Sequence, residues 1–356
     1  MDALRGFDML FIMGGGQLIL SICAACGAAD SAFAQQFHHV PWEGFHFEDT
    51  IFPLFLFVAG VSFPFSMDKR LANGATKASL CWHSIRRGLT LVFLGFVANR
   101  VFRLDFDHLR YYGVLQLIGF SWMVAALLFI GFGAKVRAVI AVVLLLGSWL
   151  FFRSMGAPDF PEAAPFTPEG NFGCWIDRTV IGTNHIYKKL FDPEGAASLL
   201  PSIVMPMLGM FAGQVLKGPL SDGRKTLLLL GSSVLLVASG LLFSGVQPIV
   251  KAMWSSSFVL VAGGYAAAML AVFYWIIDVK GWRGWSFFFT VIGMNSITIY
   301  MAQRIVDFRG IASFFLGGLA SRLSPDGQSI CMNAGYVLFC WLFLLFLYRK
   351  KVFLKV

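Results

Sequence analysis

Between Phe37 and Thr50 the chain gathers His38, His39, Trp42, Glu43, His46, Glu48 and Asp49 into one short stretch. An imidazole titrates near neutrality, and a carboxylate beside it fixes its tautomer. Such a pair suits general-base or nucleophilic work. His39 is the candidate catalytic base or nucleophile, and Asp49 is its companion. Asp49 also runs directly into Ile51-Phe52-Pro53, where a short acid caps a helix start and proline is tolerated. The two roles are compatible. A metal held by His38, His39 and His46 is the rival reading, but that spacing matches no standard ligand pattern, so no metal is expected.

Two further acidic stretches are Trp175-Ile176-Asp177-Arg178 and Phe191-Asp192-Pro193-Glu194-Gly195. The plain reading of the second is a turn followed by a helix-start charge. The functional reading is a carboxylate pair, Asp192 and Glu194, that attracts a cationic substrate group. Trp42, Trp175 and Trp254 fall at the ends of apolar runs, where they either anchor the interface or stack on a sugar. Asn295 lies inside an apolar run, where an amide bonds a neighbouring helix or lines a polar cavity. Gly14-Gly15-Gly16 permits a helix or a thin ligand to approach closely. Arg86, Arg87 and Lys280 either hold phosphates or set topology.

These residues must be positioned by membrane helices. Only 13% of the 356 residues are charged, 58% are apolar and mean hydropathy is +0.73. That is about half the usual charged share of a soluble domain, so lipid must solvate much of the surface. Apolar runs near the length needed to cross hydrocarbon extend over 4–24, 50–67, 88–101, 113–132, 136–152, 199–216, 226–244, 257–277, 286–304 and 332–348. The stretch 311–323 is amphipathic and reads as interfacial or re-entrant. The expected fold is therefore all-α, a polytopic membrane protein of about ten helices forming one domain over 1–356. Its long loops are 27–49 and 153–198.

With the N-terminus inside, the inner segments hold Arg5, Lys69, Arg70, Lys77, Arg86, Arg87, Lys135, Arg137, Lys217, Arg224, Lys225, Lys280, Arg283, Arg349, Lys350, Lys351 and Lys355. Against them stand only Asp2, Asp8, Asp68, Asp222 and Asp278. Short basic inner loops satisfy the positive-inside rule, so both termini are expected in the cytoplasm and both long loops outside. The net charge of +9 is then a topology signal, which argues against nucleic acid as a partner. The scattered cysteines Cys23, Cys26, Cys81, Cys174, Cys331 and Cys340 form no zinc-ribbon spacing.

Along nearly its whole length the chain resembles the heparan-α-glucosaminide N-acetyltransferase family. Five stretches carry the resemblance: Asp2-Ala3-Leu4-Arg5-Gly6; His39-Val40-Pro41-Trp42-Glu43-Gly44 with Asp49-Thr50-Ile51-Phe52-Pro53; Gly113-Val114-Leu115-Gln116; Trp175-Ile176-Asp177-Arg178 with Asp192-Pro193-Glu194-Gly195; and Trp254-Ser255-Ser256-Ser257-Phe258 leading through Asp278-Val279-Lys280-Gly281 to Gly293-Met294-Asn295-Ser296. The resemblance implies transfer of acetyl from cytoplasmic acetyl-CoA to an amino sugar on the opposite face, with His39 in the active-site position and Asp49 beside it. The lysosomal member carries a large luminal N-terminal region and a further helix. A bacterial inner-membrane relative acting on a glucosamine-type acceptor is therefore expected here.

On this reading the nucleotide stays near Arg86, Arg87 and Lys280, and the pantetheine arm passes Gly15 and Asn295 to reach His39. Trp42, Trp175, Asp192 and Glu194 meet the acceptor. His39 acts as base or as acetyl carrier, and residue types do not choose between them. An amino-sugar or oligosaccharide permease, an O-acetyltransferase of envelope polysaccharide and, as the expected assembly, a homodimer complete the set of expectations.

Overall fold

The computed structural model describes residues 1–354, so Lys355, one of the cations expected inside, lies outside the described residues. The regular elements of those residues are all helices. The pairings outside helices are two isolated bridges, Glu43 with Val250 and Gly156 with Asn171. In chain order the helices are α1 (Asp2–Ala25), α2 (Phe47–Ala72), α3 (Lys77–Ala98), α4 (Val114–Gly131), α5 (Ala134–Ser154), α6 (Ala196–Lys217), α7 (Asp222–Phe243), α8 (Ser256–Val279), α9 (Ser286–Met294), α10 (Ser296–Ile305), α11 (Phe308–Ala320) and α12 (Pro325–Arg349). Eight of them, all but α3 and α9 to α11, are long and apolar enough to cross a membrane.

The other two predicted spans correspond to α3 and to the broken pair α9–α10, so the chain is an all-α membrane protein of about ten crossings. α3 extends eleven residues before the predicted start at Gly88, from the side-chain cap of Thr76 to Ala98. Its first half carries His83, Arg86 and Arg87, which masked the helix in the hydropathy. The stretch predicted over 311–323 is α11, 13 residues long and packed along α12. Helices answer the solvent, because lipid offers no partner for backbone N–H and C=O groups. Outward positions such as Leu242 and Phe314 are more than 80% exposed, as lipid-facing side chains are.

The chain divides into two compact units. The first holds, among the described residues, 1–40, 46–55 and 272–354. Its core is built of Met9, Met13, Val291, Ile292, Ile299, Phe308, Cys340 and Leu344. Here α1 and α9 touch backbone to backbone: a Cβ on Gly6 would fall 1.7 Å from the Phe289 carbonyl oxygen, and one on Gly293 would fall 1.9 Å from that of Asp2. α1 is not straight. A π-helical turn spans Phe11–Gly15, and Gly14 sits at φ 100°, a conformation that favours glycine.

The second unit holds residues 41–45 and 56–271. α3 packs along α4 through Gly88 and Gly119, and Gly60 and Gly209 bring α2 against α6. Its loop 153–198 is ordered by a short helix, Phe172–Trp175, and a π-helical turn, Ile176–Gly182. Arg178 clamps Asp159 through Nε and Nη2, both at 2.6 Å.

Candidate active site

In the first unit, His39 and Asp49 come together. His39 Nδ1 lies 2.9 Å from Asp49 Oδ1. The carboxylate must accept, so Nδ1 carries a proton, and in a neutral imidazole Nε2 is then the basic nitrogen. The partners differ in environment: the Asp49 side chain is fully buried, whereas that of His39 is 59% exposed. Asp49 Oδ2 accepts the backbone N–H of His46 at 3.1 Å and that of Val40 at 3.5 Å. The acid thus ties both ends of the 39–49 loop together and orients the ring. It sits in the 3₁₀ turn Phe47–Thr50 that opens α2, where His46 and not Asp49 is the cap residue; Asp49, third in the turn, bonds back to the His46 N–H and also holds the ring.

The loop sits deep along α1. Phe47 packs edge-on to Phe11 at 4.7 Å, Phe11 stacks on Phe37 at 6.2 Å, and a Cβ on Gly16 would lie 3.4 Å from Glu48 Oε2. The last turns of α1 continue nine residues past Gly16, about 14 Å at helical rise. His46 does not face His39: its Nδ1 donates to the His38 carbonyl at 2.8 Å.

In the second unit, loop 153–198 builds an ion cluster around Arg110. Arg110 Nε donates to Asp192 Oδ2 at 2.8 Å and Nη2 to Oδ1 at 2.5 Å, and Nη2 also meets Glu194. Asp192, fully buried, accepts the N–H of Tyr187 at 2.8 Å and of Glu194 at 3.0 Å as well. Its oxygens are therefore filled by the protein, contrary to the expectation that it meets an amine directly. Behind it, Asp177 accepts the N–H of Ala196 at 2.8 Å and of Asp192 at 3.2 Å. Burial pushes the Asp177 carboxyl up to about 7 against those donors and Tyr112. Glu194 is also raised by burial, with Arg110 opposing. Burial pulls the Arg110 guanidinium down, but its two carboxylates outweigh that and raise it.

Trp42 belongs to this cluster's surroundings. Its indole N–H donates to the Phe166 carbonyl at 2.8 Å, and its ring meets Phe191 at 4.8 Å. Trp175 packs on Phe172 at 5.0 Å. Trp254, expected at an interface, is instead completely buried against Phe258.

The residues expected around a donor are placed differently. Asn295 breaks α9 from α10, and its amide donates to the Val352 carbonyl at 3.0 Å while accepting the Leu354 N–H at 3.4 Å. The terminal segment occupies it, so it does not line an open path. Gly15 lies in the π-helical turn, and beside it the Tyr336 ring sits 3.1 Å from a Cβ position on Gly14. That aromatic fills the space the glycines open. Lys280 lies over the Trp275 ring at 5.0 Å. Arg86 is exposed, whereas Arg87 stacks on Trp122 at 4.1 Å and lines a narrow cleft with Ser66, Arg70, His83 and Ser84.

Sequence reasoning did not single out Arg110, Tyr112, Arg70 or His83. Arg110 lies 82 residues from its partner Asp192, and no local spacing reveals such a pairing. Asp177 was quoted within its motif without a role.

A family model described as "Heparan-alpha-glucosaminide N-acetyltransferase, catalytic" matches residues 1–237. Two curated relatives carry the name heparan-alpha-glucosaminide N-acetyltransferase. The mouse protein is 28% identical over 375 aligned positions and the human protein 28% over 377, each alignment covering 90% of this chain. The chain spans about half the length of these relatives, 56% of each. The matched region contains both the His39–Asp49 pair and the Arg110 cluster, and the chain belongs to the heparan-alpha-glucosaminide N-acetyltransferase family.

Proposed function

We propose that this protein transfers an acetyl group from acetyl-CoA on the cytoplasmic side to the amine of a glucosamine-type sugar on the other side of the membrane. The observation that carries this reading is the oriented imidazole: His39, held at Nδ1 by a buried carboxylate while its side chain stays 59% exposed. Such an imidazole removes a proton from an ammonium, or takes the acetyl group itself as an acyl-imidazole.

Each remaining part has a physical task. Coenzyme A phosphates cannot enter hydrocarbon cheaply, so they stay at the basic end of the helices. Arg70 and Arg87, which line one cleft with His83, are the cations of the second unit assigned to them. Arg86 and Lys280 add long-range attraction. The Arg110–Asp192–Glu194 cluster acts as a rigid wall that fixes loop 153–198, with Trp42 and Trp175 offering apolar faces to a sugar ring. Asp192 holds that wall in place, and Glu194, partly exposed, is the carboxylate that can reach a cationic acceptor.

The test uses purified protein with acetyl-CoA and glucosamine. N-acetylated product is expected from the wild type, and none above background from His39→Ala. Uptake of glucosamine into liposomes without acetyl-CoA would replace this reading with a permease. A preference for hydroxyl over amine acceptors in competition would replace it with an O-acetyltransferase.

A further inference from the structure

One ionisable group in the first unit has no task in the mechanism above. Asp8 is completely buried in α1, and neither carboxylate oxygen has a hydrogen-bond partner among the described residues. Burying a carboxyl group in a membrane helix is costly unless it serves a purpose. Among the described residues the charge that acts on it is Glu48, the residue before Asp49. Arg5, one turn away on α1, is engaged with Asp2 at 3.1 Å. The turn that carries Glu48 packs along α1 at the π-helical stretch that follows Asp8. Phe11, one turn beyond Asp8, contacts Phe47, and the backbone at Gly16 faces Glu48. Two carboxyls held close in a poorly solvated site share a proton rather than both ionising.

We propose that Asp8 and Glu48 form a proton-sharing carboxyl pair that receives the proton released when the acceptor amine is acetylated. This rests on the acetyl-transfer reading and deepens it. In that reaction the nitrogen–carbon bond forms and the thioester carbon–sulfur bond breaks. An ammonium acceptor loses two protons in becoming an amide. One of them ends on the coenzyme A sulfur. The other is surplus, and His39 cannot keep it and be ready for the next turnover. Glu48 lies in the same turn as Asp49, so the surplus proton passes from the imidazole to the pair and then to water. Asp8 is a proton-holding residue acting through Glu48, and it does not touch substrate.

The experiment compares the wild type with Asp8→Asn, Asp8→Glu and Glu48→Gln in nanodiscs. Two acceptors are used with acetyl-CoA: glucosamine, which is cationic at neutral pH, and an aromatic amine, which is already neutral and releases no surplus proton. Asp8→Asn is expected to lower kcat with glucosamine by about 100-fold, with an unchanged KM for acetyl-CoA. It should lower kcat with the aromatic amine by less than about threefold. Asp8→Glu, which keeps the acid, should stay within about tenfold of wild type, and Glu48→Gln should follow Asp8→Asn. Equal loss with both acceptors means a structural role and overturns the proposal, as does a wild-type rate for Asp8→Asn with glucosamine. If the wild type acetylates neither acceptor, the acetyl-transfer reading itself fails, and this inference falls with it.

Discussion

At the scale of single residues, the account turns on which nitrogen of His39 reacts. Asp49 accepts the hydrogen bond from Nδ1–H, so on the proposed reading Nε2 is the reacting nitrogen. Asp49→Asn would turn an amide toward either the ring or the His46 N–H, and both need an acceptor. A loss of about 100-fold or more in kcat is expected, with acetyl-CoA affinity unchanged in a binding titration. The His39–Asp49 pair was legible in the sequence because a histidine and an acid lay ten residues apart at a helix start. The depth of the pair along α1 was not legible, since it depends on Phe11, Phe37 and Phe47 packing together. The role of Asp192 was misread for a related reason. Its partner Arg110 is remote in sequence, and a carboxylate already bonded by arginine and two backbone N–H groups has no oxygen to offer an amine.

At the scale of elements, loop 153–198 is held by buried charge, which makes a pH prediction possible. Asp177 and Glu194 both have carboxyls raised by burial. A folded state that holds a proton more tightly than the unfolded chain gains stability in acid. For Asp177 that contribution is complete below about pH 4 and is lost as pH rises through about 7. Hydrogen exchange or limited proteolysis of 153–198 should therefore show slower opening at pH 5 than at pH 8; equal rates would contradict the assignment. Removing the central cation is a second check. Arg110→Met leaves two buried carboxylates without their partner, which is expected to cost about 3 kcal/mol and to expose this loop to protease. Glycine contacts set the helices. Gly293→Val should destabilise the first unit by more than about 2 kcal/mol, read as lost thermal stability in detergent, because the clash at Asp2 is with backbone. Helix existence was readable from hydropathy alone. The early start of α3 was not, since its basic residues resemble a loop, and the split at Asn295 was not, since the amide's partners lie 57 and 59 residues away.

At the scale of the whole molecule, the charge asymmetry of the loops predicts orientation. Single cysteines at 74 and 223 should resist a membrane-impermeant thiol reagent in intact cells and react after permeabilisation. Cysteines at 30 and 162 should react at once. On the proposed reading the same asymmetry puts the donor and the acceptor in separate compartments. The most direct measurement is made in sealed proteoliposomes of known orientation, with labelled acetyl-CoA outside on the basic face and glucosamine enclosed. The wild type is expected to produce labelled N-acetylglucosamine inside while coenzyme A accumulates outside, and His39→Ala is expected to produce neither. Labelled product at wild-type rate from His39→Ala, or product formed only when donor and acceptor share a compartment, would contradict the account.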